Sequence, residues 1–198
     1  NYYIFQIWPA ACGDTSRNDQ LREVQRTLPF LYSNMKIMST VGIIPGSGCH
    51  YVAAGYQRFA DLIGPLVEED VYGYVPAGAI TAPNLVQAWF TTPTRNAIAL
   101  QFDQNMASWD SGSNGLFFLD GAAGQVSSGS VSGKVVTLQL SAPSAAGTIT
   151  YLKGIGWNGV QADLVYGANS IAALTFADVP IAALPPSSYS SWAAEPGQ

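Results

Sequence analysis

The spacing of apolar residues changes once along this chain, near residue 75, and that change limits what each part can fold into. Before it, strand-like and helix-like segments alternate. Tyr2 to Trp8 is aromatic and β-branched with almost no polar relief, the pattern of a strand buried on both faces in a parallel sheet. Ser16-Arg17-Asn18-Asp19 fits a helix-capping pattern. Leu21, Val24 and Leu28 then fall on one helical face, and Pro29 is expected to stop the helix. A second strand-like run spans Lys36 to Ile43, followed by the turn-forming loop Pro45-Gly46-Ser47-Gly48-Cys49-His50. Val52, Tyr56, Phe59 and Ile63 recur at helical spacing up to Gly64-Pro65. Strand, helix, strand, helix predicts a parallel α/β unit. Two strands do not make a stable sheet of that kind, so its remaining strands are expected from an upstream segment or a companion chain.

After the change the period is two. Ile98, Leu100 and Phe102 alternate with Ala99 and Gln101, and Val136, Leu138 and Leu140 alternate with Thr137 and Gln139. Ile149-Thr150-Tyr151 and Leu174-Thr175-Phe176 repeat the pattern between clusters of Gly, Ser, Asn and Asp. This predicts an antiparallel β-sandwich of about seven short strands. The expected organisation is an α/β domain over 1–75, a β-sandwich domain over 76–185 and a Pro/Ser-rich tail over 186–198.

Composition excludes several functions. Of the 198 residues 48% are hydrophobic and 11% charged, enough for a core and too apolar for disorder. The net charge of −5 and pI near 4.5 argue against a nucleic-acid surface. No apolar run reaches the roughly 20 residues that span a bilayer. Scarce Lys with abundant Gly, Ser, Ala and Thr suits a secreted, periplasmic or cell-surface protein. The start at Asn1, without Met, reads as a processed or truncated end. One His and two Cys form a poor metal-ligand set, so no metal or cofactor is expected.

His50 is the only histidine. It lies in a loop after a predicted parallel strand and before a helix, where ligand sites of open α/β sheets gather, and a histidine there can serve as general base. The stretch Leu21-Arg22-Glu23-Val24-Gln25-Arg26, followed by a strand and then Gly48-Cys49-His50-Tyr51 with Ala54-Gly55-Tyr56, resembles the closing section of SGNH-type esterases. Within them it is most similar to sialate O-acetylesterase-like carbohydrate esterases, over about residues 1 to 73. The resemblance implies the C-terminal part of an SGNH-type α/β/α sandwich acting by acyl transfer on an acetylated carbohydrate. His50 would be the general base, and the nucleophilic serine of a Gly-Asp-Ser block would lie upstream. Gly13-Asp14-Thr15-Ser16 resembles that block only superficially: a threonine interrupts it and it follows the wrong strand, so Ser16 reads as a helix cap.

The family places an Asp two or three residues before the histidine. Here those positions are Gly48 and Ser47, so Ser47 or an acid from elsewhere would orient the ring. Cys12 and Cys49 fit either buried thiols or one disulfide; each follows a predicted strand, and parallel neighbours would bring their loops to one rim, where a disulfide would fix the His50 loop. Trp8, at the same rim, is a candidate wall for a sugar pocket. Trp89, Phe90, Trp109 and Trp157 could form a carbohydrate platform, but such side chains more often fill a core. The competing reading is a non-catalytic structural or glycan-binding surface protein on a decayed esterase scaffold.

Overall fold

The computed structural model describes residues 1–9, 16–44, 50–154 and 159–183. The first part forms β1 (Tyr2–Phe5), α1 (Ser16–Leu31), β2 (Met35–Met38) and α2 (Ala53–Tyr72). β1 and β2 pair in parallel, from Tyr2 opposite Met35 to Phe5 opposite Met38. The strand-helix-strand-helix order is as expected, with three differences.

First, neither proline ends its helix. Pro29 lies within α1, and α2 runs through Pro65 to a left-handed cap at Gly73, whose N–H donates to the Glu69 carbonyl. Pro65 removes a donor, but buried Leu62 and Leu66 on either side of it hold α2 against the core, and that packing outweighs the local penalty. Second, β1 is not buried on both faces. Tyr2 is exposed, while Tyr3, Ile4 and Phe5 are half-buried, because among the described residues β1 pairs with β2 alone.

Third, α1 buries a polar face. Leu21 and Val24 face solvent, whereas Arg22 and Arg26 are buried. The reason lies in what α1 packs against: main-chain groups needing partners. Arg26 Nη1 donates to the Leu85 carbonyl at 2.8 Å and to Asn84 Oδ1 at 3.0 Å. Arg26 also pairs with Glu23, whose Oε2 accepts from the Ala177 N–H at 3.0 Å. Arg22 pairs with Asp19, which accepts from the Gly154 N–H at 3.0 Å. Buried charges persist where they are paired and hydrogen-bonded in this way.

The second part supplies β3 (Leu85–Phe90), β4 (Ala97–Phe102), β5 (Phe117–Leu119), β6 (Val126–Ser132), β7 (Val135–Leu140), β8 (Thr148–Tyr151) and β9 (Phe176–Ala182). They form one seven-stranded sheet in the order β5-β8-β9-β3-β4-β7-β6. The expected pair of wholly antiparallel sheets is therefore replaced by one curled sheet with a parallel pair, β3 with β9. β9 makes the curl. Its first half pairs with β8, while Ile181 and Ala182 pair with β3. Strands from both arms of the sheet close on a single core, in which Phe117, Tyr151 and Phe176 touch in succession at 5.1 and 5.6 Å between ring centroids.

The two parts share their interior. Ala82, Ile171 and Leu174 join Met38, Ile43, Leu62 and Leu66 in one apolar cluster, and Val41 enters the core of the curled sheet. The molecule is thus a mixed α/β structure with mostly β content. No described helix is long and apolar enough to cross a membrane.

Candidate active-site rim

Because β1 and β2 are parallel, the segments that follow them leave at the same end. Gln6 extends the pairing, its N–H donating to the Met38 carbonyl at 3.0 Å. Beyond Met38 come two buried hydroxyls. Ser39 Oγ donates to the Ala173 carbonyl at 3.3 Å, and Thr40 Oγ1 donates to the Gln6 carbonyl at 2.7 Å. The chain then turns, with the Ile43 N–H donating to the Thr40 carbonyl at 3.0 Å.

His50 is exposed, two residues before the Val52 cap of α2. The next residue anchors it. Tyr51 is half-buried, its ring edge-on to Tyr56 and tilted against Phe59, each at 5.8 Å. Phe59 in turn stacks on Phe5 at 3.7 Å. Burial is the main cause that raises the pKa of the Tyr51 phenol above its ordinary value. The first turn of α2 presses on the same spot. A Cβ at Gly55 would lie 2.7 Å from the Ile44 carbonyl oxygen and 2.8 Å from the Tyr51 Cβ. Only glycine admits that approach.

Trp8 is half-buried just past the end of β1. Ser47, Cys12 and Cys49 lie outside the described residues, as does Trp157. The side chain of Ser16, at the start of α1, is likewise not described. Phe90 is buried and Trp109 is packed in the sheet, stacked on Phe117 at 5.9 Å and lying across Gly129. Among the described residues no group of three His, Cys, Asp or Glu could hold a metal ion.

An ionic cluster marks the opposite end of the parallel pair. Lys36 Nζ bonds Glu69 Oε2 at 2.5 Å and Asp70 Oδ1 at 2.6 Å, and the Tyr3 hydroxyl donates to Asp70 Oδ2 at 2.8 Å. The Lys36 hydrogen bond is the first of the causes that hold the Asp70 carboxyl below its usual range.

Sequence reasoning gave Gln6 and Thr40 no role and quoted Tyr51 and Gly55 only within the family resemblance. Two carried a signal. Gln6 is the one polar residue within the apolar run from Tyr2 to Trp8, and Gly55 sits in a first helical turn where glycine is unfavourable.

No protein-family model matches the chain, and no curated protein matches it. Among solved structures, a carbohydrate acetylesterase from Xanthomonas citri shares its fold, with a TM-score of 0.63 over 88% of this chain at 17% identity. The match takes in 40% of the acetylesterase chain. The likeness is one of fold.

Proposed function

We propose that this chain is the C-terminal part of an SGNH-type serine esterase that removes acetyl groups from carbohydrate, with His50 as general base. The observation that carries this reading is the place of His50. It stands beside Tyr51, whose ring packs on Phe59 and through it on Phe5 of β1, on a fold shared with a carbohydrate acetylesterase. The serine is supplied by an upstream segment or a companion chain. Two features support that source. β1 pairs on one edge only among the described residues, and parallel sheets of two strands are marginal. Leu21, Val24 and Leu31 also leave an apolar stripe of α1 exposed.

In the proposed reaction the serine oxygen attacks the acetyl carbonyl as its proton passes to the His50 imidazole. The tetrahedral intermediate collapses, the C–O bond to the sugar breaks, and the imidazolium returns the proton to the departing sugar oxygen. Water then attacks the acyl-enzyme by the same route and releases acetate. Ser47 orients the imidazole, Trp8 lines the sugar pocket and a Cys12–Cys49 bridge steadies the loop in an extracytoplasmic protein.

A fluorophosphonate probe tests this on the native form. Labelling should fall on a serine in a Gly-Asp-Ser block outside these 198 residues, recovered by peptide mass spectrometry. A native form that consists of this chain alone and takes no label would instead favour the glycan-binding reading.

A further inference from the structure

Two adjoining cavities lie along the junction between α2 and the curled sheet. The first, of about 430 Å³, is lined by Asp103, Gln104 and Asn105 just past β4, by Lys134 in the β6–β7 turn, and by Ala79 and Asn169. The second, of about 180 Å³, shares Ala79 and Asn169 and is bounded by Arg58 and Asp61, in the second and third turns of α2. The first alone falls within the roughly 300–1,000 Å³ of small-molecule sites.

The wall between them is braced. Asn169 Nδ2 donates to the Ala79 and Thr81 carbonyls at 3.0 and 2.9 Å and to Gln104 Oε1 at 3.1 Å, and Gln104 Nε2 donates to the Thr81 carbonyl at 2.9 Å. Such cross-bracing fixes the shape before a ligand arrives. The exposed groups at the mouth are less committed. Lys134 Nζ uses one of its three donors on the Asp103 carbonyl at 2.8 Å. Asp103 Oδ1 accepts from the Asn84 N–H at 2.9 Å, and a carboxylate offers about four acceptor sites.

The lining selects the ligand. Asp103 and Asp61 balance Lys134 and Arg58, so charge favours neither an anion nor a cation. No described lining residue of the first cavity is aromatic or branched aliphatic, which disfavours an apolar ligand. A hydroxyl both donates and accepts, so neighbouring hydroxyls can bond a carboxylate, an amide and an ammonium together. A small zwitterion would bridge one charge pair and leave the second cavity empty, whereas linked sugars fill both.

We propose that the two cavities form a groove for a neutral oligosaccharide, gripped at Asp103, Asn105 and Lys134 and extending past Asn169 to α2. That the groove holds the substrate of His50 rests on the esterase reading; the binding itself does not.

Calorimetric titration of the native form with xylotetraose, cellotetraose, mannotetraose and chitotetraose tests the groove. At least one should bind saturably below ~10 mM. Lys134→Met and Asn105→Ala, both at exposed positions, should each weaken that binding roughly tenfold without changing Tm. Should either variant melt early, the other decides. Lys153→Met is the matched control: Lys153 Nζ also bonds a carbonyl, that of Gly121 at 3.1 Å, but does not line the groove, so affinity should hold. Binding of none of the four sugars, binding that both groove variants leave unchanged, or binding of glycine alone would overturn the proposal. In acetate release the groove variants should raise KM with little change in kcat. If His50→Gln leaves acetate release intact, the general-base role falls while the titration still decides the groove.

Discussion

Gln6 and Thr175, 169 positions apart, exchange two hydrogen bonds: Gln6 Nε2 donates to the Thr175 carbonyl at 2.8 Å and the Thr175 N–H donates to Gln6 Oε1 at 2.9 Å. A side-chain amide here takes the place that a neighbouring strand backbone would fill. It joins the end of β1 to the entry of β9, and so joins the α/β unit to the curled sheet.

Replacing that amide should be expensive in stability. Gln6→Leu keeps the volume but leaves the Thr175 N–H and the Arg22 carbonyl buried without this partner. Each such loss costs about 1–3 kcal/mol, so the variant should be destabilised by roughly 2–4 kcal/mol in denaturant unfolding. Unchanged stability would mean that water or a local shift replaces the amide at little cost.

Gly55→Ala tests the close approach at the start of α2. The added methyl would meet the Ile44 carbonyl oxygen at 2.7 Å and the Tyr51 Cβ at 2.8 Å, and neither is the far end of a flexible side chain. A loss of about 1–3 kcal/mol is expected, against the small gain that alanine gives in an open helix.

The acid limb of stability should depend on Asp70. Its carboxyl is held below the usual range, first by the Lys36 hydrogen bond. A depressed value means that the stabilisation is complete above the unfolded carboxyl value, about 3.9, and is lost as pH falls through the folded one. Asp70→Asn should therefore melt below wild type at neutral pH, and the difference in Tm should shrink below about pH 4. A difference that stays constant from pH 7 to pH 2 would show that the Asp70 charge contributes nothing.

The order of elements was legible because it depends on local periodicity. Ile98, Leu100, Phe102, Val136, Leu138 and Leu140 alternate in the sequence and are buried in β4 and β7, which pair with Ile98 opposite Leu138. The packing of α1 was not legible. Its leucine and valine pattern points to one face, but the buried face is set by main-chain groups at Leu85, Gly154 and Ala177, far away in sequence. The parallel pairing of β3 with β9, Ala88 opposite Ile181, is non-local in the same way and has no periodic signature. At the rim, His50 stood out as the only histidine, whereas the packing of the Tyr51 ring on Phe59 is a contact that only the fold creates.

Acetate release from an acetylated saccharide by the native esterase, compared between wild type and His50→Gln, tests the central claim most directly. If His50 is the general base, the substitution should lower kcat by roughly a thousandfold or more while the protein stays folded. A rate within a few-fold of wild type would remove His50 from the chemistry and leave this fold with a different use.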